Sequence, residues 1–335
     1  MNVDLLPATI DPTAVSPSVV SNTMRWQRWL PIAAVLAAAA CWATQGVAYA
    51  LILDGIQTDG LTVVTLRAVT AALILWVWLA LTDPSALRIP RAALPAFTLL
   101  GAIAVTIFYP ALFYTYQWTS VSVATTLLYL SPTLVTLGAA LFLAEPLTAG
   151  KLIALVTTFF GSALVVQVYQ PENLRGSAAG IGLGLIAAAT YGTYSVLGKK
   201  LLARHQMATV LAAYLLMGTL LLLGVKLLVS PGTWPAPREA MTIGLYTGVM
   251  TTLLPITLYT FGLSRLPASE ASILLTFEPV VAFVLAVAVL GESLHAGQWL
   301  GVIAVLGGVV LLTWPGRAPI RTTIARYGRL QSARR

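Results

Sequence analysis

Apolar stretches of roughly 18–24 residues recur along this chain, separated by short connections rich in Gly, Pro and Asp. An α-helix rises about 1.5 Å per residue, so each stretch is long enough to cross about 30 Å of hydrocarbon. Only 9% of the 335 residues are charged, against about 25% in soluble domains. The mean hydropathy is +0.87. The sequence therefore predicts a protein that crosses a membrane many times.

The period-2 alternation of an outer-membrane barrel is absent, and backbone polar groups at mid-bilayer are satisfied within helices. The predicted fold class is an all-α integral membrane protein with ten transmembrane helices. The ten predicted spans are residues 30–53, 60–81, 95–117, 120–143, 149–168, 179–201, 207–229, 240–262, 267–290 and 296–314.

The distribution of Lys and Arg predicts the orientation, because cytoplasmic loops carry the excess of positive charge. With the N-terminus inside, fifteen Lys and Arg residues fall on the cytoplasmic side and three on the other. We expect a multi-pass protein of the cytoplasmic membrane with both termini in the cytoplasm. Residues 1–29 are interpreted as a disordered tail. Residues 315–335 form a basic tail suited to the anionic inner leaflet, with a merely solvated tail as the alternative.

The two halves of the chain resemble each other at a shift of 147 residues. Without a gap, 12 of 43 positions are identical between residues 121–163 and 268–310, including Pro132 with Pro279 and Glu145 with Glu292. Five spans per half place the halves in opposite orientations, which is the inverted repeat of many secondary transporters. The predicted repeats are residues 30–168 and 179–314, joined by an extracytoplasmic linker at 169–178.

Several motifs support one family. Each half has a proline in its fourth helix, followed by LAEPL (143–147) or LGESL (290–294), and LRAVTAALIL (66–75) and YGTYSVLGKK (191–200) complete the set. Together they resemble the drug/metabolite transporter superfamily, and within it the EamA family, over about residues 30–314. The resemblance implies that helices 1–4 and 6–9 line a central cavity and that helices 5 and 10 are peripheral. It also implies export of a metabolite or drug without ATP.

Glu278 is the strongest functional candidate. It falls near the middle of the ninth span, where an ionised carboxylate facing lipid would cost about 2.5–3.5 kcal/mol. Pro279 beside it removes a backbone hydrogen bond. A cation or proton site is the functional interpretation, and a neutral or paired carboxyl that only joins helices is the alternative. Arg67 in the second span is a candidate charge partner of Glu278 or of a substrate carboxylate, or else reaches the outer interface.

Aromatic and polar side chains at mid-span depth are candidates for a substrate pathway, although aromatic belts and helix-bridging polar groups also occur in any membrane protein. Prolines in the third, fourth, eighth and ninth spans are candidate kinks, either hinges or static bends. Glu145 and Glu292 are expected to cap the helix that follows each. The predicted pathway residues are Trp42, Gln45, Tyr114, Tyr191, Tyr194, Tyr259 and Glu278, and the predicted kinks are Pro110, Pro132, Pro255 and Pro279.

The sequence contains no recognisable catalytic set, nucleotide-binding motif or metal-ligand cluster, so an enzyme, a cofactor and a metal are not expected. The predicted function is secondary transport of a small metabolite, such as an amino acid, a related amphipathic metabolite or a cationic drug. The expected partners are that solute, the bilayer and protons as the coupling ion, and no nucleic acid. An uncoupled facilitator and a non-transporting membrane sensor or assembly protein are the alternatives. Substrate identity and oligomeric state are left open.

Overall fold

The computed structural model describes residues 29–45, 58–171, 174, 176–232, 234–290 and 295–313. Within these residues the chain forms ten apolar helices, and the only strand-like pairing is an isolated bridge between Thr119 and Gly176. Nearly all of the two predicted tails lies outside the described residues, as does Glu292. The helices are α1 (Trp29–Gln45), α2 (Gly60–Thr82), α3 (Arg91–Trp118), α4 (Val123–Leu143), α5 (Ala149–Val165), α6 (Ala178–Leu202), α7 (Met207–Val229), α8 (Pro237–Arg265), α9 (Ala268–Val289) and α10 (Ala296–Thr313).

Eight of these helices are long and apolar enough to cross a membrane. The described parts of α1 and α5 are shorter apolar helices. Each of the ten helices overlaps one of the ten predicted spans, although residues 46–53 of the first span lie outside the described residues. The all-helical architecture is therefore confirmed within the described residues, while ten membrane crossings and the inverted topology remain predictions.

Side-chain caps fix where several helices begin. Asp59 accepts a hydrogen bond of 2.5 Å from the Thr62 amide at the start of α2, and Ser177 accepts one of 3.0 Å from the Gly180 amide at the start of α6. Such caps satisfy amide groups that have no partner within the helix. Short polar residues at the ends of apolar stretches thus set the helix boundaries.

Each predicted kink lies at a departure from α-helical geometry. Pro110 follows a π-helical segment over Ala102–Ile107, and Pro255 follows another over Tyr246–Leu253. A turn at Tyr129 and Leu130 precedes Pro132, and a 3-10 segment over Leu275–Phe277 precedes Pro279. Since proline cannot donate to the carbonyl four residues earlier, the helix rearranges locally. The irregularities occur in the same order in the two halves, as a repeat predicts.

The helices α5 and α10 pack against each other through glycine. A Cβ atom placed on Gly161 would lie 2.9 Å from the Gly301 carbonyl oxygen, and one on Gly301 would lie 2.6 Å from the Gly161 carbonyl oxygen. Only residues without a side chain allow two helix backbones to approach this closely. The last helix of each half is therefore paired with its counterpart.

The prediction that Glu145 caps the next helix is wrong. Thr148 caps α5, accepting from the Lys151 amide at 3.3 Å. Glu145 instead accepts hydrogen bonds from the amides of Ala268 and Ser269 at 2.6 and 3.2 Å, at the start of α9. A carboxylate at a helix N-terminus satisfies orphan amides and the helix dipole, and here it does so across the two halves rather than along the chain.

Candidate functional site

A cavity of about 960 Å³ lies between the two halves of the helix bundle. Its wall is mostly aromatic and aliphatic, with four glutamines, several hydroxyl groups and two charged side chains, those of Arg67 and Glu278. Most of the predicted pathway residues line this one space. The predicted residues in its wall are Trp42, Gln45, Arg67, Pro132, Tyr191, Tyr194, Glu278 and Pro279.

Glu278 stands at the start of the helical segment that follows the 3-10 break in α9. Its side chain is half-buried and lines the cavity. Within the described part of the chain, no salt bridge or hydrogen bond to its carboxyl group is observed. An ionised carboxylate in such a place is unfavourable unless a cation or proton neutralises it. At the position that corresponds to Glu278 in the first half, Ser131 also lines the cavity.

Arg67 contacts residues other than Glu278, the charge partner that the sequence suggested. Its Nε donates to Thr252 Oγ1 at 2.8 Å, and one terminal nitrogen donates to the Thr251 carbonyl at 2.8 Å. The guanidinium also lies over the Tyr109 ring, 4.5 Å from its centroid. Its side chain is buried, with 8% exposure, and it forms no ion pair with Glu278 in this structure. The arginine joins α2 to α8, and its guanidinium is held inside the helix bundle.

The Thr251 carbonyl is shared by two donors. Trp42 donates to it from its indole nitrogen at 3.0 Å, and Arg67 donates to it as well. Thr251 lies four residues before Pro255, so the amide that would take this carbonyl in a regular α-helix is missing. The proline thereby provides an acceptor that fixes Trp42 of α1 and Arg67 of α2 on α8.

Aromatic rings form one continuous wall of the cavity. Phe108 lies 5.6 Å from Tyr191, which lies 6.1 Å from Tyr194, and Tyr194 lies 5.7 Å from Tyr214, between ring centroids. The Tyr194 hydroxyl has hydrogen-bond neighbours in Tyr214 and Thr260. The buried Tyr191 hydroxyl has no hydrogen-bond partner within the described residues. Tilted rings and a spare hydroxyl suit a ligand with an apolar body and a polar group.

Two predicted pathway residues lie outside the lining. Tyr259 is fully buried behind the wall, where its hydroxyl contacts Ser195 Oγ at 2.9 Å and its ring packs 6.1 Å from Trp42. Tyr114 packs on Trp118, 5.3 Å between ring centroids. Periodicity places a residue at a depth in the membrane but does not fix which neighbour its side chain meets. Tyr259 therefore supports the lining residues from behind, and Tyr114 has no place in the cavity.

Three glutamines at one end of the cavity were missed at the sequence level. Gln117 ends α3, Gln167 follows α5 and Gln298 begins α10, and all three line the cavity. Gln167 has a left-handed backbone with φ of 55°, and its amide nitrogen lies 3.0 Å from His295 Nδ1. Helix-end glutamines are common, so no signal in the sequence distinguishes them. Their presence gives this end of the cavity an uncharged polar rim.

No group of three or more His, Cys, Asp or Glu side chains that would hold a metal ion occurs in the described ranges. A membrane-embedded helical bundle around a polar and aromatic cavity is the architecture of a transporter. The EamA-like transporter family model matches residues 29–167 and again residues 178–314. The chain therefore belongs to the EamA-like transporter family and is a multi-pass membrane transporter.

Named relatives are also transporters. The uncharacterized inner membrane transporter YicL of Salmonella typhimurium is 27% identical over 86% of this chain and 96% of its own length. A probable terminal-alkyne amino-acid exporter of Streptantibioticus cattleyicolor is 27% identical over 81% of this chain and 89% of its own. The threonine/homoserine exporter RhtA of Salmonella typhimurium is 28% identical over 40% of this chain and 43% of its own.

A solved crystal structure shares the fold. Its TM-score to this chain is 0.72, with 18% sequence identity over 87% of this chain and all of the other. At this identity the likeness concerns the fold alone.

Proposed function

We propose that this protein is a secondary transporter that exports a small amphipathic metabolite bearing an amine. The observation that carries the proposal is the carboxyl of Glu278, which has no ion-pair or hydrogen-bond partner among the described residues and lies in a large cavity walled by aromatic rings. An ammonium group complements the carboxylate, and rings attract both cations and apolar surfaces. Amino acids, related amines and cationic drugs share this chemistry. Two of the relatives reported above are named as exporters, one probably of a terminal-alkyne amino acid and one of threonine and homoserine.

The size of the cavity supports a solute with a substantial apolar part. Small-molecule sites range over about 300–1,000 Å³ and bury most of the ligand, and this cavity of about 960 Å³ lies at the upper end. A small hydrophilic amino acid would leave much of the aromatic wall unused. We expect amines with aromatic or long aliphatic bodies to bind more tightly than threonine or glycine.

Glu278 also supplies a mechanism for coupling. A carboxylate held away from water is unfavourable while it is unpaired, so either a proton or the amine of the solute neutralises it. If the two exclude each other, the proton gradient can drive the solute in the opposite direction. Protonation on one side and substrate binding on the other must then favour different conformations, because a ligand shifts an equilibrium only through differential affinity.

The test compares wild type with Glu278→Gln, which keeps the shape of the side chain and removes its charge. Purified protein is screened by thermal shift against phenylalanine, norleucine, spermidine, tetraphenylphosphonium and glucose. The amines and the organic cation are expected to raise the melting temperature of the wild type but not of Glu278→Gln, while glucose changes neither. Stabilisation of both proteins to the same extent would remove Glu278 from the binding site.

Flux into proteoliposomes then separates coupled transport from the alternatives. With an imposed pH gradient, the wild type is expected to accumulate the stabilising solute above equilibrium, and Glu278→Gln is expected only to equilibrate it. Equal flux with and without the gradient in the wild type would establish an uncoupled facilitator instead. A wild type that binds no solute in the screen and moves none of them would contradict transport.

A further inference from the structure

The two ends of the cavity differ. Glutamines line one end, and buried side chains fill the other. At the rim, Gln117, Gln167 and Gln298 line the open space. Toward the other end the lining on α9 stops at Ser272, one turn inside the start of that helix. Beyond it, Leu263, Leu266 and Ala268 are buried and do not line the cavity. Their exposures are 1%, 2% and 0% respectively. The bundle is closed at the end where α8 meets α9.

Glu145 holds this closed end from the first half of the chain. Its carboxylate accepts from the Ala268 amide at 2.6 Å, from the Ser269 amide at 3.2 Å and from Ser269 Oγ at 2.5 Å. Lys151 lies 3.6 Å from the same carboxylate. Glu145 is only 7% exposed, so its carboxylate is shielded from water. Charge-assisted hydrogen bonds of this kind are among the stronger contacts in proteins.

Lys199 also makes hydrogen bonds where α8 meets α9, but its partners differ from those of Glu145. Its ammonium donates to the carbonyls of Leu263 and Leu266, at 2.5 and 2.6 Å, where α8 ends. A lysine at a helix C-terminus satisfies the last carbonyls and the helix dipole. Lys199 belongs to α6, so both of these hydrogen bonds stay within the second half. The Glu145 contact, by contrast, joins the first half to the second.

We propose that the contact of Glu145 with the first turn of α9 is a latch that keeps this end of the cavity closed and that opens during the transport cycle. The inference rests on the proposed function, because alternating access requires each end to open in turn. When the halves separate at this end, water replaces the amide and hydroxyl donors on the carboxylate and on α9. The latch is therefore reversible, and weakening it shifts the population toward the state that is open at this end.

The expected shift can be measured without knowing the solute. In a Cys41→Ser background, Ser272→Cys places the only thiol at the buried end of the cavity, where Ser272 is 0% exposed. A membrane-impermeant maleimide is applied to membrane vesicles of each orientation. With Glu145 present, we expect slow labelling from the latch side. Glu145→Gln, whose amide cannot accept from all three donors, is expected to raise that rate about tenfold or more, as loss of a charge-assisted hydrogen bond predicts.

Two further variants make the test specific. Lys199→Gln removes two hydrogen bonds within one half and an electrostatic attraction to Glu145, but it keeps every hydrogen bond of the latch. It is expected to lower the melting temperature and to raise the labelling rate by much less than Glu145→Gln. Ser269→Ala removes a single donor and is expected to raise the rate in the same direction as Glu145→Gln but by less. The latch is overturned if Glu145→Gln leaves the labelling rate unchanged in folded protein, or if Lys199→Gln raises it equally.

The same preparations distinguish failure of the latch from failure of transport. Solute flux is measured in the Cys41→Ser, Ser272→Cys protein before any change at Glu145. Flux in that protein together with unchanged labelling in Glu145→Gln would refute the latch alone. Absence of flux from both this protein and the wild type would refute the proposed function, whatever the labelling shows.

Discussion

Pro255 illustrates how a single residue organises the wall of the cavity. The sequence suggested a bend, and a π-helical segment does precede this proline. The structure adds that the Thr251 carbonyl, left without the amide of residue 255, is taken by Trp42 and Arg67. A missing backbone donor thus becomes a site that orders two side chains from other helices. Pattern reasoning finds the proline, but only the packing shows which side chains use the acceptor.

The hydrogen bond of Trp42 to the Thr251 carbonyl predicts an energetic coupling between Pro255 and Trp42. Pro255→Ala restores an amide that competes for the Thr251 carbonyl, so Trp42→Phe should cost less in that background than in the wild type. We expect a coupling of about 0.5–3 kcal/mol in a double-mutant cycle of unfolding. Pro110→Ala is the matched control from the other half, because Trp42 is bonded to Thr251 and not to the segment before Pro110. Additivity in both cycles would contradict the assignment.

Sequence reasoning led to cavity-lining residues where chemistry restricts the choice, while their role in transport stays a prediction. Glu278 was identified because a carboxylate in the middle of an apolar span has few places to lie, and it lines the cavity. Tyr114 was a weaker inference, since a tyrosine in a membrane helix is as common at an interface as at a site. The partners of Arg67 were beyond sequence reasoning, because they come from a segment more than 180 residues away.

At the scale of helices, glycine spacing decides which helices approach closely. Gly161 of α5 and Gly301 of α10 meet backbone to backbone, whereas Gly307 of α10 has nothing within 4 Å of where its Cβ would lie. The resemblance implied that these two helices are peripheral, and the structure shows that they pack on each other. Two glycines of one helix therefore have different roles that the sequence alone does not separate.

Alanine at each position provides a matched comparison. Gly301→Ala places a methyl group 2.6 Å from the Gly161 carbonyl oxygen and is expected to lower stability by about 1–3 kcal/mol through overpacking. Gly307→Ala meets no atom and is expected to be neutral or to stabilise by about 0.4–1 kcal/mol through the unfolded state. Thermal unfolding of the two purified variants checks this. Equal effects would show that the α5–α10 contact is looser than the structure indicates.

At the scale of the molecule, the arrangement of the halves rests on the number of crossings in each. Five crossings per half would invert the second half relative to the first, and the recurrence of kinks in the same order is consistent with that. The described parts of α1 and α5 are the shortest of the ten helices. Whether these two helices cross the membrane decides the number of crossings in the first half. The excess of basic residues on one side predicts that both termini are cytoplasmic, and this orientation stays a prediction.

Accessibility measurements test this topology directly. In a Cys41→Ser background, a cysteine replacing Gln170 in the linker between the halves should react with an impermeant maleimide from outside the cell. Cysteines added at the two termini should react only in inverted vesicles. If the linker and both termini react from the same side, each half has an even number of crossings, and the inverted repeat is excluded.

The sequence by itself determined that this chain is a helical membrane protein, because apolar length and sparse charge leave no other way to satisfy the backbone in lipid. It also identified the prolines and Glu278, since helix breakers and intramembrane charges are conspicuous at the residue level. Only the tertiary structure decided that Glu145 caps α9 rather than α5, that Arg67 bonds to α8, and that Tyr259 stands behind the wall. Those facts depend on which helices meet and how they are rotated, and local pattern does not encode either.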